Sequence, residues 1–393
     1  MRLVKKRAAA VSVPVMLCGL CVAAMTVVAL AQTAPQYRFD PTWPKLPLPN
    51  QWAFGGVTGL TVDSNDVVWI AHRPNNLDET ENYATFDPPR GECCVSAPAI
   101  MAFNASGDLV HAWGESGGHM LLVDQKGQVW VGSDTFRIYT QEGELIAEVP
   151  RVVEATRTVR AGGGVNEGPG GGGGRGGGRA GGRGGQRTPY PAGVELIAGG
   201  VEGAAFDEDA REVYLVDNYL GGRVLVIDMD TYDFKRGWGA YGKPLSEISL
   251  EMRPPLTDPD AEPYPDFVSH VTLALADDGI VYVADRRSNR IQTFTGQGEY
   301  LNEYFVAPET LDRGSTGGLA LSPDQNFLFV GDIMNNVVWT LNRNSMEVVD
   351  RFGFFGRNGG GFHWLHMIAT DSMGNIYTGE VDTGRRIQRF LVQ

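Results

Sequence analysis

His270–Phe294 reads HVTLALADDGIVYVADRRSNRIQTF, and its internal punctuation decides the fold. A first apolar run, Val271 to Ala276, stops at an Asp-Asp-Gly turn. A second, Ile280 to Ala284, passes through a charged loop into a third, Arg290 to Phe294. Short apolar runs separated by tight polar turns are strands. A β-unit this small cannot bury both of its faces alone, so it should recur. Five further copies are present: TGLTVDSNDVVWIAH from Thr58, HMLLVDQKGQVWVGSD from His119, EGAAFDEDAREVYLVD from Glu202, GGLALSPDQNFLFVGD from Gly317 and HMIATDSMGNIYTGE from His366. Helical periodicity is nearly absent between them. Six such units closed in a ring make an all-β six-bladed β-propeller, which leaves few open strand edges.

The last copy has only three strands before the chain stops at Gln393. Gln36 to Phe39 is strand-like, and it is expected to supply the missing outer strand of blade six beside Arg386 to Val392.

Working outward, Arg2, Lys5, Lys6 and Arg7 precede an apolar stretch from Ala8 to Leu30, and Ala29-Leu30-Ala31 offers small residues for cleavage. Residues 1–31 therefore read as a signal peptide, with an uncleaved membrane anchor as the alternative. The mature protein, 32–393, is expected to be exported to the periplasm or beyond, with no membrane attachment after cleavage. Removing the leader takes away four basic side chains and leaves 29 basic against 47 acidic, a net charge of −18. Such a surface repels nucleic acid and anionic lipid. A monomer acting on a small molecule or peptide is expected.

Three insertions interrupt the register. The connection from Arg73 to about Ala97 in blade one is long for a compact domain and contains Cys93-Cys94, which either form a vicinal disulfide or remain thiols. Residues 161–187 are mostly Gly with interspersed Arg and read as a disordered inter-blade linker. Gly239 to Phe267 is Pro-rich, precedes the innermost strand of blade four, and is expected to roof the channel mouth.

Aligned by the end of the second strand, the copies place Thr58, His119, Glu202, His270, Gly317 and His366 at one repeat position. Histidine occupies blades two, four and six. In a six-fold ring alternate blades stand about 120° apart, so the three imidazoles should converge on the channel axis. Three His with room for water or substrate is the donor set of a catalytic zinc site. The loop after the second strand returns to the same end of the channel, which puts Arg73 of blade one and Tyr219 of blade three at its rim.

VYVADRRSNRIQTF, preceded by a His and an apolar strand, resembles the blade-four motif of the peptidyl-α-hydroxyglycine α-amidating lyases, within the wider group of NHL-repeat propellers. The resemblance extends over most of residues 52 to 390. It implies that His119, His270 and His366 bind zinc, that Arg73 is the catalytic arginine and that Tyr219 is the catalytic tyrosine. The implied reaction is zinc-dependent cleavage of a carbinolamide to a primary amide and glyoxylate. The family's calcium-binding Asp after the third zinc histidine is replaced here by Met367, and a thioether does not serve a hard cation. Two other readings remain: a non-catalytic exported propeller that grips a peptide, protein or cell-wall ligand, and a calcium-dependent lactonase. The His-rich channel set argues against the lactonase.

Overall fold

Each copy of the repeat folds as the turn chemistry dictates. In blade one the Asp63 carboxylate accepts hydrogen bonds from the backbone N–H of Asn65 (2.8 Å) and Val67 (3.0 Å), which closes the turn, and from Trp69 Nε1 (2.9 Å), which fixes the second strand against the first. Asp124 does the same for Lys126, Gln128 and Trp130 in blade two. Asp371 does so for Met373, Asn375 and the Tyr377 hydroxyl in blade six. Aspartate at a strand end mimics a backbone turn, so one residue sets both the turn and the register.

A second device sits at the other end of the second strand. Asp217 pairs with Arg223 in blade three, Asp285 with Arg290 in blade four and Glu380 with Arg386 in blade six. The Arg of each pair opens the third strand.

The computed structural model describes residues 33–152, 193–218, 222–249, 256–268 and 270–393. The expected leader at 1–31, the Gly-rich insertion at 161–187 and Tyr219 lie outside the described residues. Six four-stranded antiparallel sheets follow one another. Their innermost strands are Gly56–Val62, Met120–Val123, Val201–Asp207, Val271–Leu275, Leu319–Leu321 and Leu365–Thr370. Each contacts the next around the ring, and the sixth contacts the first. The all-β, six-bladed expectation holds. Among the described residues no helix is long and apolar enough to cross a membrane.

Closure is as the sequence predicts. Tyr37–Asp40 pairs antiparallel with Arg386–Val392 as the outer strand of blade six, and the Gln393 backbone N–H donates to Gln36 O. Arg389 clamps the splice through Asp40. The apolar clusters lie between neighbouring blades, as with Val216, Val224, Val271 and Phe294 between blades three and four. The middle strands are thus buried on both faces, which explains their near-continuous apolar runs.

The blade-one insertion is ordered by short pieces. Val95–Ser96 pairs in parallel with Trp52–Ala53, Cys93 and Cys94 form a vicinal disulfide, and Arg385 of blade six holds Asn76 O and Glu81. Of the Pro-rich segment expected to roof the channel, the described Tyr241 packs against the outer half of blade four, bonding Gln292 and Glu303.

Candidate functional site

The inner strands differ in one respect that builds the site. Pairing between first and second strands skips one residue in blades one, three and six: Thr58, Glu202 and His366 are the bulged positions. A β-bulge re-aims a side chain, and here it turns Glu202 and His366 toward one cavity, while Thr58 Oγ1 bonds backbone carbonyls. In blades two and four His119 and His270 stand just before the strand, and His270 adopts a left-handed backbone conformation with φ 64°.

Close approach of the strands depends on the next residue. In blades one, three and five this is Gly59, Gly203 and Gly318. A Cβ on each would lie 2.9 Å from Met120 Cα, 2.9 Å from Thr272 Cα and 2.9 Å from His366 O. The His-bearing strands of the even blades therefore pack directly against glycine backbone of the odd ones. Blade-to-blade hydrogen bonds reinforce this, from Thr58 Oγ1 to Gly118 O (2.7 Å) and from Thr272 Oγ1 to Gly317 O (2.6 Å).

The structure brings His119, His270 and His366 to one cavity together with Glu202, Arg286 and Thr272. The His119 and His366 ring centroids are 5.2 Å apart. Glu202 Oε1 lies 3.2 Å from His119 Nε2 and 3.3 Å from His270 Nδ1. Burial pushes the His119 imidazolium down to about 3 and holds His366 well below the usual histidine range, so both rings are neutral at physiological pH and offer lone pairs. Burial pushes the Glu202 carboxyl up, opposed by the charges of His119, Arg286, Arg73 and Arg287.

Two of the remaining histidines, His72 and His111, have structural work. His72 accepts from Gly55 N–H at Nδ1 (3.1 Å), so its Nε2 carries the proton and donates to Pro98 O (2.8 Å). His111 stacks on Trp69. His72 is locked inside blade one, and its neighbour Arg73 turns outward.

Arg73 is half-exposed, 3.6 Å from Asp382, and lines a cleft of about 280 Å³ with Pro74, Asn76, Glu115 and Gly117. Both partners of that ion pair are solvated, so it leaves the guanidinium available to an incoming anion. The charge of Arg73 acts on His119, Glu202 and His366. Two residues that the sequence reading left aside also belong here. Arg286, at the blade-four position equivalent to Arg73, lines the cavity and is 5 % exposed. Glu202 shares the repeat position of the histidines, and that coincidence is the signal that marks it.

Zinc fits this donor set chemically: neutral imidazoles, a carboxylate, and a buried His366 Nδ1 with no hydrogen-bond partner. As the side chains stand, no group of three or more His, Cys, Asp or Glu among the described residues closes around a common point, so binding requires rotation of the rings. The cavity between them measures about 10 Å³, room for an ion or a single water but not for a substrate. A substrate must approach from the mouth. Met367, where the resembling family has its Asp, is buried in the apolar core and presents no oxygen.

No family model and no curated protein matches the chain. Among solved structures it is similar to a Bacteroides thetaiotaomicron VPI-5482 protein of unknown function. That match has a TM-score of 0.50 and 13% identity, over 87% of this chain and 70% of that one. It is also similar to a streptogramin B lyase, with a TM-score of 0.46 and 12% identity over 92% and 98% of the two chains. A catalytically inactive virginiamycin B lyase from Staphylococcus aureus, solved with quinupristin, gives a TM-score of 0.45 and 14% identity over 91% and 87%. Likenesses at this identity concern the propeller fold alone.

Proposed function

We propose that the protein is a zinc-dependent lyase that cleaves a carbinolamide, R-CO-NH-CH(OH)-COOH, to a primary amide and glyoxylate. The observation that carries this reading is the convergence of His119, His270 and His366, from alternate blades, on one end of the channel beside a cationic rim. These three residues would hold the ion. Bound zinc supplies Lewis acidity that lowers the pKa of a hydroxyl.

The chain's own groups account for the rest. Arg73 receives the substrate carboxylate in the cleft beside the site, through its bidentate fork. Arg286, facing the cavity, favours negative charge as it develops on the hydroxyl oxygen. Tyr219 accepts the hydroxyl proton and returns one to the leaving nitrogen. The O–H pair becomes the second bond of the glyoxylate carbonyl while the C–N pair passes to nitrogen, so atoms and charges balance. With a net charge of −18 on the mature chain, a local cation is needed to admit an anionic substrate.

Arg73→Ala tests the carboxylate role. Loss of a hydrogen-bonded charge costs about 1.5–3 kcal/mol, which predicts a fall of roughly 10–150-fold in kcat/KM for free-acid substrates. Methyl-ester analogues should change by less than about 3-fold, because they cannot form that charge-assisted pair. An equal loss for acid and ester, measured side by side, would remove Arg73 from substrate binding.

A further inference from the structure

Glu202 is held in an unusual way. It occupies the blade-three bulge and is 2 % exposed. Asn218, itself fully buried at the end of the second strand, donates from Nδ2 to Glu202 Oε2 and also to Val271 O (3.2 Å), the residue that follows His270. Oε2 is thereby anchored, and Oε1 is presented to the axis, at nearly equal distance from His119 Nε2 (3.2 Å) and His270 Nδ1 (3.3 Å). Two ligands of a tetrahedral ion bound at about 2.0–2.1 Å stand about 3.3–3.4 Å apart. Each nitrogen is thus separated from this oxygen as two neighbouring ligands on one ion would be, and rotation of the rings is still needed to close the full set on a common point. The fourth member of the ring, His366, keeps Nδ1 buried and unpartnered.

We propose that Glu202 is a metal ligand in its own right, completing a three-imidazole, one-carboxylate centre with Asn218 as its positioning residue. The proposal rests on the metal-site reading above. It changes that site in two ways. A carboxylate lowers the charge of the centre from +2 to +1, which makes the cationic contribution of Arg286 and Arg73 more necessary to a substrate anion. It also fills the fourth position, so a substrate hydroxyl enters as a fifth ligand, an expansion that zinc tolerates.

The test is zinc affinity of the full mature chain, stripped with chelator and titrated with Zn²⁺ against a chromophoric competitor, for wild type and Glu202→Gln. Gln keeps the shape and the Asn218 contact while removing the anionic donor. Residues that only orient a ligand typically change metal affinity by about 10–100-fold, so a true ligand is expected to exceed 100-fold. A loss of 100-fold or less makes Glu202 an orienting acceptor and overturns the proposal. Metal-free melting curves of the two proteins check that the variant folds. Should it not fold, anomalous diffraction from zinc-soaked wild-type crystals decides. A metal peak about 2.0–2.2 Å from Glu202 Oε1 is expected, and one beyond about 3 Å refutes coordination. Wild type that takes up no zinc sinks the metal site as a whole, whereas equal uptake by both proteins sinks only the role of Glu202.

Discussion

Arg290→Ala is expected to destabilise the propeller by about 3–5 kcal/mol, the cost of leaving a buried charge without its partner. Arg290 and Asp285 are both fully buried, joined by Nε (3.1 Å) and Nη2 (2.9 Å) to Asp285 Oδ2. The same guanidinium reaches the Tyr241 hydroxyl (2.8 Å), Glu303 (3.1 Å) and Asp266 O (3.0 Å). It therefore ties the second, third and outer strands of blade four to the Pro-rich segment that precedes His270. Alanine strands the Asp285 carboxylate in a site whose burial already pushes its pKa up. Denaturant midpoints read the loss. Replacing both partners, Asp285→Leu with Arg290→Met, should recover much of it, because well-packed apolar groups avoid the desolvation cost. A double variant as unstable as Arg290→Ala would show that the hydrogen bonds to Tyr241 and Asp266 dominate instead.

The largest expected effect on rate is that of Tyr219→Phe, which should lower kcat by about 10²–10⁴, the usual span for removal of a proton-transfer group. Zinc content should not change, since the phenol is assigned to substrate and not to metal. Asn218, the residue directly before Tyr219 in the sequence, holds Glu202 from the end of the second strand of blade three. Single-turnover rates with metal content measured on the same samples separate the two roles. Unchanged turnover would pass proton transfer to another group at the mouth.

The propeller was legible because its repeat is written in turn chemistry. Asp63, Asp124 and Asp371 each carry a turn and an aromatic hydrogen bond at fixed offset, and local rules of that kind survive without any knowledge of the tertiary fold. The closing strand Tyr37–Asp40 was legible from a count of strands, since a blade with three is incomplete. The convergence of the three histidines followed from ring symmetry alone.

Glu202 was harder to read, although it stands at the same repeat position. A lone glutamate in sequence is ordinarily solvated. Its character comes from burial in a bulge, from Asn218 sixteen residues later and from imidazoles on two other blades, none of which is local. The glycines that let the blades approach were hidden for the same reason, because Gly59 and Gly203 are explained only by Met120 and Thr272 opposite them. Arg286 was read as part of a motif and not as a wall of the cavity, since its direction depends on the tight turn Arg286–Ser288.

The most direct measurement is release of glyoxylate from an α-hydroxyglycine peptide by the purified protein, followed with and without added zinc. Catalytic release by zinc-loaded protein, lost on chelation and restored by added zinc, is the predicted result. Protein that retains zinc on His119, His270 and His366 yet releases no glyoxylate from any such peptide would contradict the lyase reading and leave a ligand-binding propeller in its place.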